Sequence, residues 1–279
     1  MPWPAPSDVA DRLRAAGCVF AEDEAELLLG TARSPDELES MVAQRAAGRP
    51  LEQVVGWAEL CGVRVRVDDG VFVPRRRSEL LVREATALAR ARASAFAPGD
   101  GGRGGRGGGG AGPVVLDLCC GTGAVGRAIT ASLTAVELHA AELDPASAAC
   151  ARRNVLPSGG AVHEGDLYAA LPPALRARID VLVVNAPYVP TDEIVLLPSE
   201  ARDHEPRVAL DGGSDGVDVH RRVAAGAPPW LAPGGHLLVE TSERQAALTV
   251  AAFELAGLAA RIVTDDDLGA TVVVGRWPC

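Results

Sequence analysis

The second half of the chain alternates between short apolar runs and amphipathic stretches. Strands are predicted at 114–118, 136–141, near 162, at 181–184 and at 237–240. Helices are predicted from 124, at 144–154, near 217–225 and at 242–256. This alternation predicts an α/β fold, in which a mostly parallel sheet carries helices on both faces. The last two strands, 259–263 and 271–274, are joined by an acidic turn without a helix, which predicts an antiparallel strand at the end of the sheet.

The first third of the chain has a different pattern. Residues 7 to about 50 show the spacing of short amphipathic helices, with Ser7 placed to cap the first helix and Ser34 a later one. Gly48-Arg49-Pro50 is expected to end this group. Apolar alternation at 63–67 and 71–73 flanks Asp68-Asp69-Gly70, which predicts a β-hairpin turned at the Asp-Gly pair. A further helix is predicted over 78–96.

These patterns predict three parts of the chain. A helical domain is expected at 1–57, a β-hairpin linker at 58–77 and a larger α/β domain at 78–279. Within the last part, residues 99–112 hold ten glycines and two arginines, so they offer almost nothing to bury. We expect this segment to be a flexible surface insertion.

Composition narrows the class of protein. Of 279 residues, 48% are hydrophobic and 23% are charged, which fits one or two globular domains with a sizeable core. No apolar run approaches the roughly 18 residues of a membrane span, and the start of the chain lacks an export signal, so we expect a soluble, cytoplasmic protein. The six cysteines include no Cys-x-x-Cys pair, so reduced thiols and no metal are expected. A net charge of −10 argues against non-specific binding to nucleic acid or membrane surfaces.

A glycine-rich turn follows the first strand of the α/β region. Gly121, Gly123 and Gly126 have the G-x-G-x-x-G spacing that lets backbone approach a ligand at a helix N-terminus. Glu142 ends the next strand, where an acid accepts hydrogen bonds from both hydroxyls of a ribose. After the third strand, Asp166 suits an adenine amino group and Leu167 can cover the ring. The set fits either a nicotinamide dinucleotide or S-adenosylmethionine.

The fourth strand ends in Asn185-Ala186-Pro187-Tyr188. The Asn185 amide oxygen and the Ala186 carbonyl are two acceptors, Pro187 stiffens the loop and Tyr188 offers an aromatic face, so together they form a receptor for a planar NH2 group. Amide and aryl amine nitrogens are poor nucleophiles because their lone pair is delocalised. A site that holds both N–H bonds directs the lone pair at an electrophilic methyl group. The tetrapeptide therefore favours methyl transfer to nitrogen.

In this order the motifs resemble the protein-(glutamine-N5) methyltransferase family, whose best-known members methylate a glutamine in peptide-chain release factors. The similarity covers nearly the whole chain and is carried by 45–51 with Gly56, 73–75, 78–82, 117–123, Glu142, Asp166, 185–188, 205–206, 209–210, Gly213, Gly216, 231–235 and Glu240. It implies a class I S-adenosylmethionine-dependent methyltransferase fold, Rossmann-like, with a mostly parallel seven-stranded sheet and an antiparallel C-terminal strand. It also implies that the helical domain recognises the substrate.

The resemblance further implies roles for individual residues. S-adenosylmethionine would be held by Asp117, Cys119, Cys120, Gly121, Thr122, Gly123, Glu142, Asp166, Leu167 and Asn185. Asn185, Pro187 and Tyr188 would be catalytic, and with Ala186 they would bind the glutamine amide. The family usually has Gly where this chain has Cys119, and Pro where it has Ala186; the carbonyl at 186 remains, but a φ restraint is lost. These departures indicate a side branch, whose glutamine-bearing substrate is a release factor, a ribosomal protein or another protein.

The main alternative is an N6-adenine or other amino methyltransferase that acts on nucleic acid or a small molecule. This and other classes of function explain less of the sequence. Amino methyltransferases acting on adenine N6 use a similar tetrapeptide on a flipped base, but residues 1–77 carry 10 Arg against 13 Asp plus Glu, where a nucleic-acid-binding domain should be basic. A nicotinamide oxidoreductase would leave Asn185 to Tyr188 and the antiparallel C-terminal strand unexplained. A degenerate cofactor-binding or interaction module would not be expected to keep the set Asp117, Glu142, Asp166 and Asn185 intact. A reactive-thiol role for Cys119 and Cys120 lacks a basic neighbour in sequence. We expect a monomer whose N-terminal region recognises a protein.

Overall fold

The structure, a computed structural model, describes residues 3–95 and 112–279. Of the glycine-rich segment predicted at 99–112, all but Gly112 lies outside the described residues. No helix in the described ranges is both long and apolar enough to cross a membrane.

The N-terminal residues form the predicted helices, α1 (Pro6–Ala15), α2 (Ala21–Thr31), α3 (Pro35–Ala46) and α4 (Leu51–Val55). They pack around Leu13, Leu28 and Leu38, which are fully buried. We call these four helices the helical bundle. Ser34 caps α3 as predicted, because its hydroxyl accepts a hydrogen bond from the Glu37 N–H at 3.1 Å.

Two predictions about helix ends in this bundle are wrong. Helix α1 begins at Pro6, one residue before Ser7, and Ala5 occupies the cap position. Proline suits the first helical position because its φ is already helical and its missing N–H would have had no partner there. The bundle also continues past Pro50, since α4 follows directly.

A hairpin is present in the region predicted as the linker, but only one of its two strands is a predicted one. Strand β1 (Trp57–Leu60) pairs antiparallel with β2 (Val63–Arg66). Their turn is Cys61-Gly62, with φ of 50° and 74°. Positive φ at both central residues is the mark of a type I′ turn, one of the two-residue turns whose backbone matches the twist of paired strands. The chain also turns at Asp69-Gly70, where the Val71 N–H donates to the Asp68 carbonyl at 3.2 Å, but no strand follows to pair with β2. The prediction of a hairpin turned at Asp68-Asp69-Gly70 is therefore wrong.

Residues 71–73 form no strand, and two of their backbone groups are satisfied by side chains. The Val73 N–H donates to Glu205 Oε1 at 3.1 Å, and the Val71 carbonyl accepts from Gln53 Nε2 at 3.0 Å. Pro74 follows and has no N–H to donate to a strand. This segment instead runs as a loop from β2 to the next helix.

The remaining strands form one sheet in the order β5-β4-β3-β6-β7-β9-β8. Their bounds are β3 (Val114–Leu118), β4 (Glu137–Glu142), β5 (Ala161–Glu164), β6 (Ile179–Val184), β7 (Leu231–Thr241), β8 (Ala259–Asp265) and β9 (Ala270–Arg276). The pairings among β3 to β7 are parallel, whereas β9 is antiparallel to both of its neighbours. The predicted α/β fold with an antiparallel C-terminal strand is confirmed.

Helices cover both faces of this sheet. Val115 and Val183 share a core with α5 (Glu79–Ala95), α6 (Ala124–Ala131) and α7 (Pro145–Val155). On the other face, Leu116 and Val184 share a core with α9 (Asp218–Gly226) and α10 (Glu243–Leu255). A short helix, α8 (Ser199–His204), lies between β6 and α9 in the chain.

Candidate functional site

The carboxyl ends of β3, β4 and β6 open into a cleft of about 530 Å³. Chain connections run outward in opposite directions from β3 and β6, and ligands of open α/β sheets bind at such a switch point. Of the site residues predicted from the sequence, all but Gly123 line the cleft. Residues 72–78 and 197–211 supply further parts of its wall.

The loop after β3 turns sharply into α6. Cys119 has a φ of 59°, a left-handed conformation that costs a non-glycine residue roughly 1–2 kcal/mol. Gly123 caps α6 with a φ of 76°, and a Cβ there would lie 2.7 Å from Cγ2 of Val155. The Cys120 N–H donates to the Ala141 carbonyl at 3.1 Å. Gly123 is thus required by packing, while Cys119 stands where the backbone favours glycine.

Asp117 fixes the start of α6 from within the core. It is 2% exposed, and its Oδ2 accepts a hydrogen bond from the Gly126 N–H at 2.8 Å. A carboxylate is favourable at this place because the N-terminal N–H groups of a helix carry partial positive charge. Burial raises the pKa of Asp117 to about 7. The geometry makes Asp117 an anchor for the glycine loop.

Glu142 ends β4 and holds the same loop from its other side. Its Oε2 accepts from the Gly121 N–H at 2.8 Å, and its Oε1 accepts from the N–H groups of Leu143 and Asp144 at 2.8 and 3.0 Å. Burial raises the pKa of Glu142, and these three hydrogen bonds oppose the shift. Since each carboxylate oxygen can accept about two hydrogen bonds, Oε2 keeps capacity for a ligand hydroxyl.

Asp166 and Leu167 lie beyond β5 at the edge of the cleft. Asp166 Oδ2 accepts from Arg222 Nη2 at 2.7 Å, and both side chains are about half exposed. Leu167 lines the cleft with a φ of 45°. The sequence did not indicate Arg222, which comes from α9 and places a cation beside the predicted adenine-binding acid.

The predicted tetrapeptide follows β6 and is fixed at both ends. Asn185 Nδ2 donates to Ser78 Oγ at 3.2 Å. The Tyr188 hydroxyl donates to Glu240 Oε1 at 3.4 Å, and the Tyr188 carbonyl accepts from Gln245 Nε2 at 2.7 Å. Burial raises the pKa of Tyr188, so the phenol stays protonated at neutral pH.

Two buried acids near the cleft had no assigned role in the sequence. Glu205 Oε1 accepts from Arg75 Nη2 at 2.5 Å, and Arg77 Nε lies 3.4 Å from Glu240 Oε1. Burial raises the pKa of both carboxyls, against the charge of their arginines. In the sequence, the signal for these acids was Arg75-Arg76-Arg77, three consecutive arginines just before α5. Such a cluster of positive charge needs acidic partners when it folds against the protein.

Cys119 and Cys120 are not activated thiols. Burial and the nearby carboxylates Asp117 and Glu142 raise the pKa of both. All six cysteines lie in the described ranges, and none forms a disulfide. The arrangement gives the reactive-thiol hypothesis no support.

The end of the cleft near the glycine loop fits an adenosyl group. Glu142 presents an acceptor with spare capacity, Leu143 and Leu167 present apolar surface, and the loop has the left-handed residues that bring backbone close to a ligand. The cleft volume lies within the roughly 300–1,000 Å³ of small-molecule sites. These residues could hold S-adenosylmethionine.

Comparison with known proteins identifies the family. Residues 111–196 match the model of the methyltransferase small domain. The release factor glutamine methyltransferase of Geobacter sulfurreducens is 35% identical over 247 residues, which cover 87% of this chain and 79% of that protein. The one from Cereibacter sphaeroides is 34% identical over 290 residues, covering 96% and 95%. This chain belongs to the release factor glutamine methyltransferase family.

The fold of this release factor glutamine methyltransferase family member is the class I fold of S-adenosylmethionine-dependent methyltransferases, as predicted. The enzyme is an S-adenosylmethionine-dependent methyltransferase. A further relative is named 4-amino-L-phenylalanine/4-methylamino-L-phenylalanine methyltransferase, from Streptomyces pristinaespiralis. It is 32% identical over 216 residues, covering 77% of this chain and 69% of that protein.

Proposed function

We propose that this enzyme methylates the side-chain amide nitrogen of a glutamine in a peptide-chain release factor. The observation that carries the proposal is the position of Asn185 to Tyr188, which line the same cleft as the loop after β3. The names of the relatives that span most of the chain support this choice of acceptor. The helical bundle lies in the N-terminal region, which has more acidic than basic residues. It is proposed to contact the protein substrate.

The cofactor end of the proposed site uses the loop after β3. When bound, S-adenosylmethionine supplies an electrophilic methyl group on a sulfonium. Glu142 Oε2 is proposed to accept a ribose hydroxyl, Leu167 to cover the adenine ring and Asp166 to face its amino group. The segment that starts at the end of β3 is proposed to bring its backbone close to the cofactor. It comprises Asp117, Cys119, Cys120, Gly121, Thr122 and Gly123.

The acceptor end uses the tetrapeptide. Asn185 Oδ1 and the Ala186 carbonyl are proposed to accept the two N–H bonds of the glutamine amide, while Pro187 and Tyr188 border it. Holding both N–H bonds aligns the nitrogen lone pair with the methyl group, so orientation replaces a strong base. The phenol of Tyr188 is neutral and partly buried, which gives the planar amide an uncharged neighbour.

A second candidate acceptor is a small aromatic amine. Two observations favour it: Ala186 stands where the family usually has proline, and one relative is named for 4-amino-L-phenylalanine. An aryl NH2 is planar and carries two N–H bonds, so it presents the same pattern to Asn185 as a glutamine amide.

A methyl-transfer assay with labelled S-adenosylmethionine tests both candidates. The acceptors are a purified bacterial release factor, the same factor with its reactive glutamine changed to asparagine, free glutamine and 4-amino-L-phenylalanine. We expect label on the release factor only, located by peptide mass spectrometry at the glutamine and lost in the asparagine variant. Label on 4-amino-L-phenylalanine and none on the factor would replace the first proposal by the second.

A further inference from the structure

Tyr188, the last residue of the tetrapeptide, is held through its backbone carbonyl as well as its side chain. The carbonyl oxygen accepts a hydrogen bond from Gln245 Nε2 at 2.7 Å. We infer that Gln245 is a positioning residue for methyl transfer, which holds the tetrapeptide in the orientation that receives the acceptor nitrogen. The inference rests on the proposed function and adds to it a residue that does not line the cleft.

Both N–H bonds of the Gln245 amide are used by backbone carbonyls. Gln245 lies near the start of α10 and is 7% exposed. Its Nε2 donates to the carbonyl of Tyr188 and to that of Asp215, the latter at 3.1 Å. Carbonyls only accept hydrogen bonds, so the NH2 end of the amide must face them. The Ser242 hydroxyl donates to Oε1 at the other end and favours the same orientation.

The peptide unit between Tyr188 and Val189 is held on both sides. Its carbonyl accepts from α10, and its N–H donates to the Leu210 carbonyl at 3.0 Å. Peptide units are planar and Pro187 fixes its own φ, so few backbone rotations separate this unit from the Ala186 carbonyl. Holding the one therefore restricts the direction of the other, which is the proposed acceptor of an N–H bond.

Two glycines make room for this contact. A Cβ on Gly216, whose φ is 77°, would overlap both Gln245 Nε2 and the Tyr188 carbonyl oxygen. A Cβ on Gly212 would lie 2.7 Å from Cα of Tyr188. A side chain at either position would therefore push the tetrapeptide or Gln245 away. Gly216 is among the residues by which the sequence resembles the family, and this close approach gives it a role.

The kinetic test uses Gln245→Met and Gln245→Glu, which keep the size of the side chain and lack its NH2 group. For Gln245→Met we expect a roughly tenfold lower single-turnover rate on the release factor, the scale of one hydrogen bond, with unchanged cofactor affinity. A protonated carboxyl carries one O–H donor, so Gln245→Glu should regain rate relative to Gln245→Met as the pH falls. The parent rate in Gln245→Met would overturn the inference.

A second measurement detects the hydrogen bond without any acceptor. The chain has two tyrosines, so labelling tyrosine with carbon-13 at the carbonyl gives two resonances, and Tyr188→Phe identifies the one from Tyr188. Loss of a hydrogen bond moves a carbonyl resonance upfield. In Gln245→Met we expect the Tyr188 resonance to move upfield. The Tyr168 resonance should stay in place, because its carbonyl accepts from the Leu171 N–H at 3.2 Å.

Asn154→Leu is the matched control for this spectrum. The NH2 group of Asn154 also donates to two backbone carbonyls, but to those of Arg66 and Thr122. This variant loses equivalent hydrogen bonds elsewhere and should leave the Tyr188 resonance unchanged. The same shift in both variants, or none in Gln245→Met, would overturn the inference even in an active enzyme. A parent that methylates no acceptor would instead overturn the proposed function, and the spectrum would still show whether Gln245 holds Tyr188.

Discussion

Arg45 Nη1 lies 2.6 Å from Glu200 Oε1 and so joins helix α3 of the bundle to α8 beside the cleft. The same guanidinium binds the buried Glu24 through Nε and Nη2, at 2.6 and 2.9 Å. Ala201, next in sequence to Glu200, lines the cleft. The position of this wall of the cleft therefore depends on the bundle.

Breaking this connection at its exposed end should affect the acceptor more than the fold. Glu200 is 40% exposed, so Glu200→Gln should change the free energy of unfolding by less than about 1 kcal/mol. We expect a several-fold higher KM for the release factor and unchanged cofactor affinity. Glu39→Gln, which breaks the exposed pair with Arg12 inside the bundle, is the control. An unchanged KM in Glu200→Gln would show that α8 holds its place without Arg45.

Replacing Glu142 by alanine should weaken S-adenosylmethionine binding at least tenfold. The change removes a charged acceptor for a ribose hydroxyl, worth about 1.5–3 kcal/mol, and also the acceptor of the Gly121 N–H. Titration calorimetry gives the affinity. Glu164→Ala is the matched control, because Glu164 ends β5, pairs with the surface residue Arg152 and does not line the cleft. Equal affinities in the two variants would remove Glu142 from the cofactor site.

Asn185→Ala should lower the single-turnover rate by roughly 10²-fold, the scale for losing one pre-organised polar contact at a reacting centre. Asn185→Asp keeps an oxygen but adds charge near a sulfonium, so it should bind cofactor well and turn over slowly. Rapid-quench assays on the release factor measure both. If Asn185→Ala keeps the parent rate, another group positions the acceptor nitrogen.

Restoring proline in the tetrapeptide should be tolerated. Among the described residues no backbone carbonyl accepts from the Ala186 N–H, so Ala186→Pro removes no such hydrogen bond. A proline compatible with the native backbone stabilises a protein by about 0.4–1 kcal/mol by restricting the unfolded chain. We expect a small rise in Tm and an unchanged methyl-transfer rate. A large fall in Tm would show that the Ala186 backbone or its buried surroundings exclude the ring.

Asp117 should make the protein less stable as pH rises. Its pKa is about 7 in the folded protein and 3.8 when exposed, so between about pH 4 and pH 7 only the folded state keeps the proton. The free energy of unfolding then falls with rising pH, by about 1.4 kcal/mol for each unit of pKa shift. Asp117→Asn keeps an oxygen for the Gly126 N–H but does not titrate. Urea unfolding over this window should give a smaller fall for the variant, and parallel curves would contradict the assigned pKa.

The sequence predicted most of the fold because its signals there are local. Alternating apolar runs marked the strands of the sheet, and the glycines at 121 and 123 marked the loop after β3. The hairpin was misplaced because Asp69-Gly70 is the stronger turn signal and does form a turn, whereas Cys61-Gly62 is the turn that joins two paired strands. Nothing near Val73 in sequence shows that the distant Glu205 side chain will accept a hydrogen bond from its N–H.

The sequence predicted those residues of the candidate site that lie at the ends of strands. Glu142 ends a strand, and Asp166 and Asn185 follow one, so the topology alone brings them to one edge of the sheet. Ser78 meets Asn185 across 107 positions of sequence, and Arg75 meets Glu205 across 130. Such pairs depend on how the loop before α5 crosses the cleft, which no short-range pattern encodes.

The β1–β2 hairpin defines where this enzyme can be divided. Its Leu60 and Val65 belong to the core shared by the sheet and α5 to α7, whereas the helical bundle has a core of its own. Exposing such side chains costs roughly 1.5–3 kcal/mol each. Asn154 of α7 also donates to the carbonyls of Arg66 and Thr122, at 3.0 and 2.9 Å. A chimera that exchanges helical bundles between relatives should therefore be joined at Gly56, keeping the hairpin with the parent that supplies the sheet.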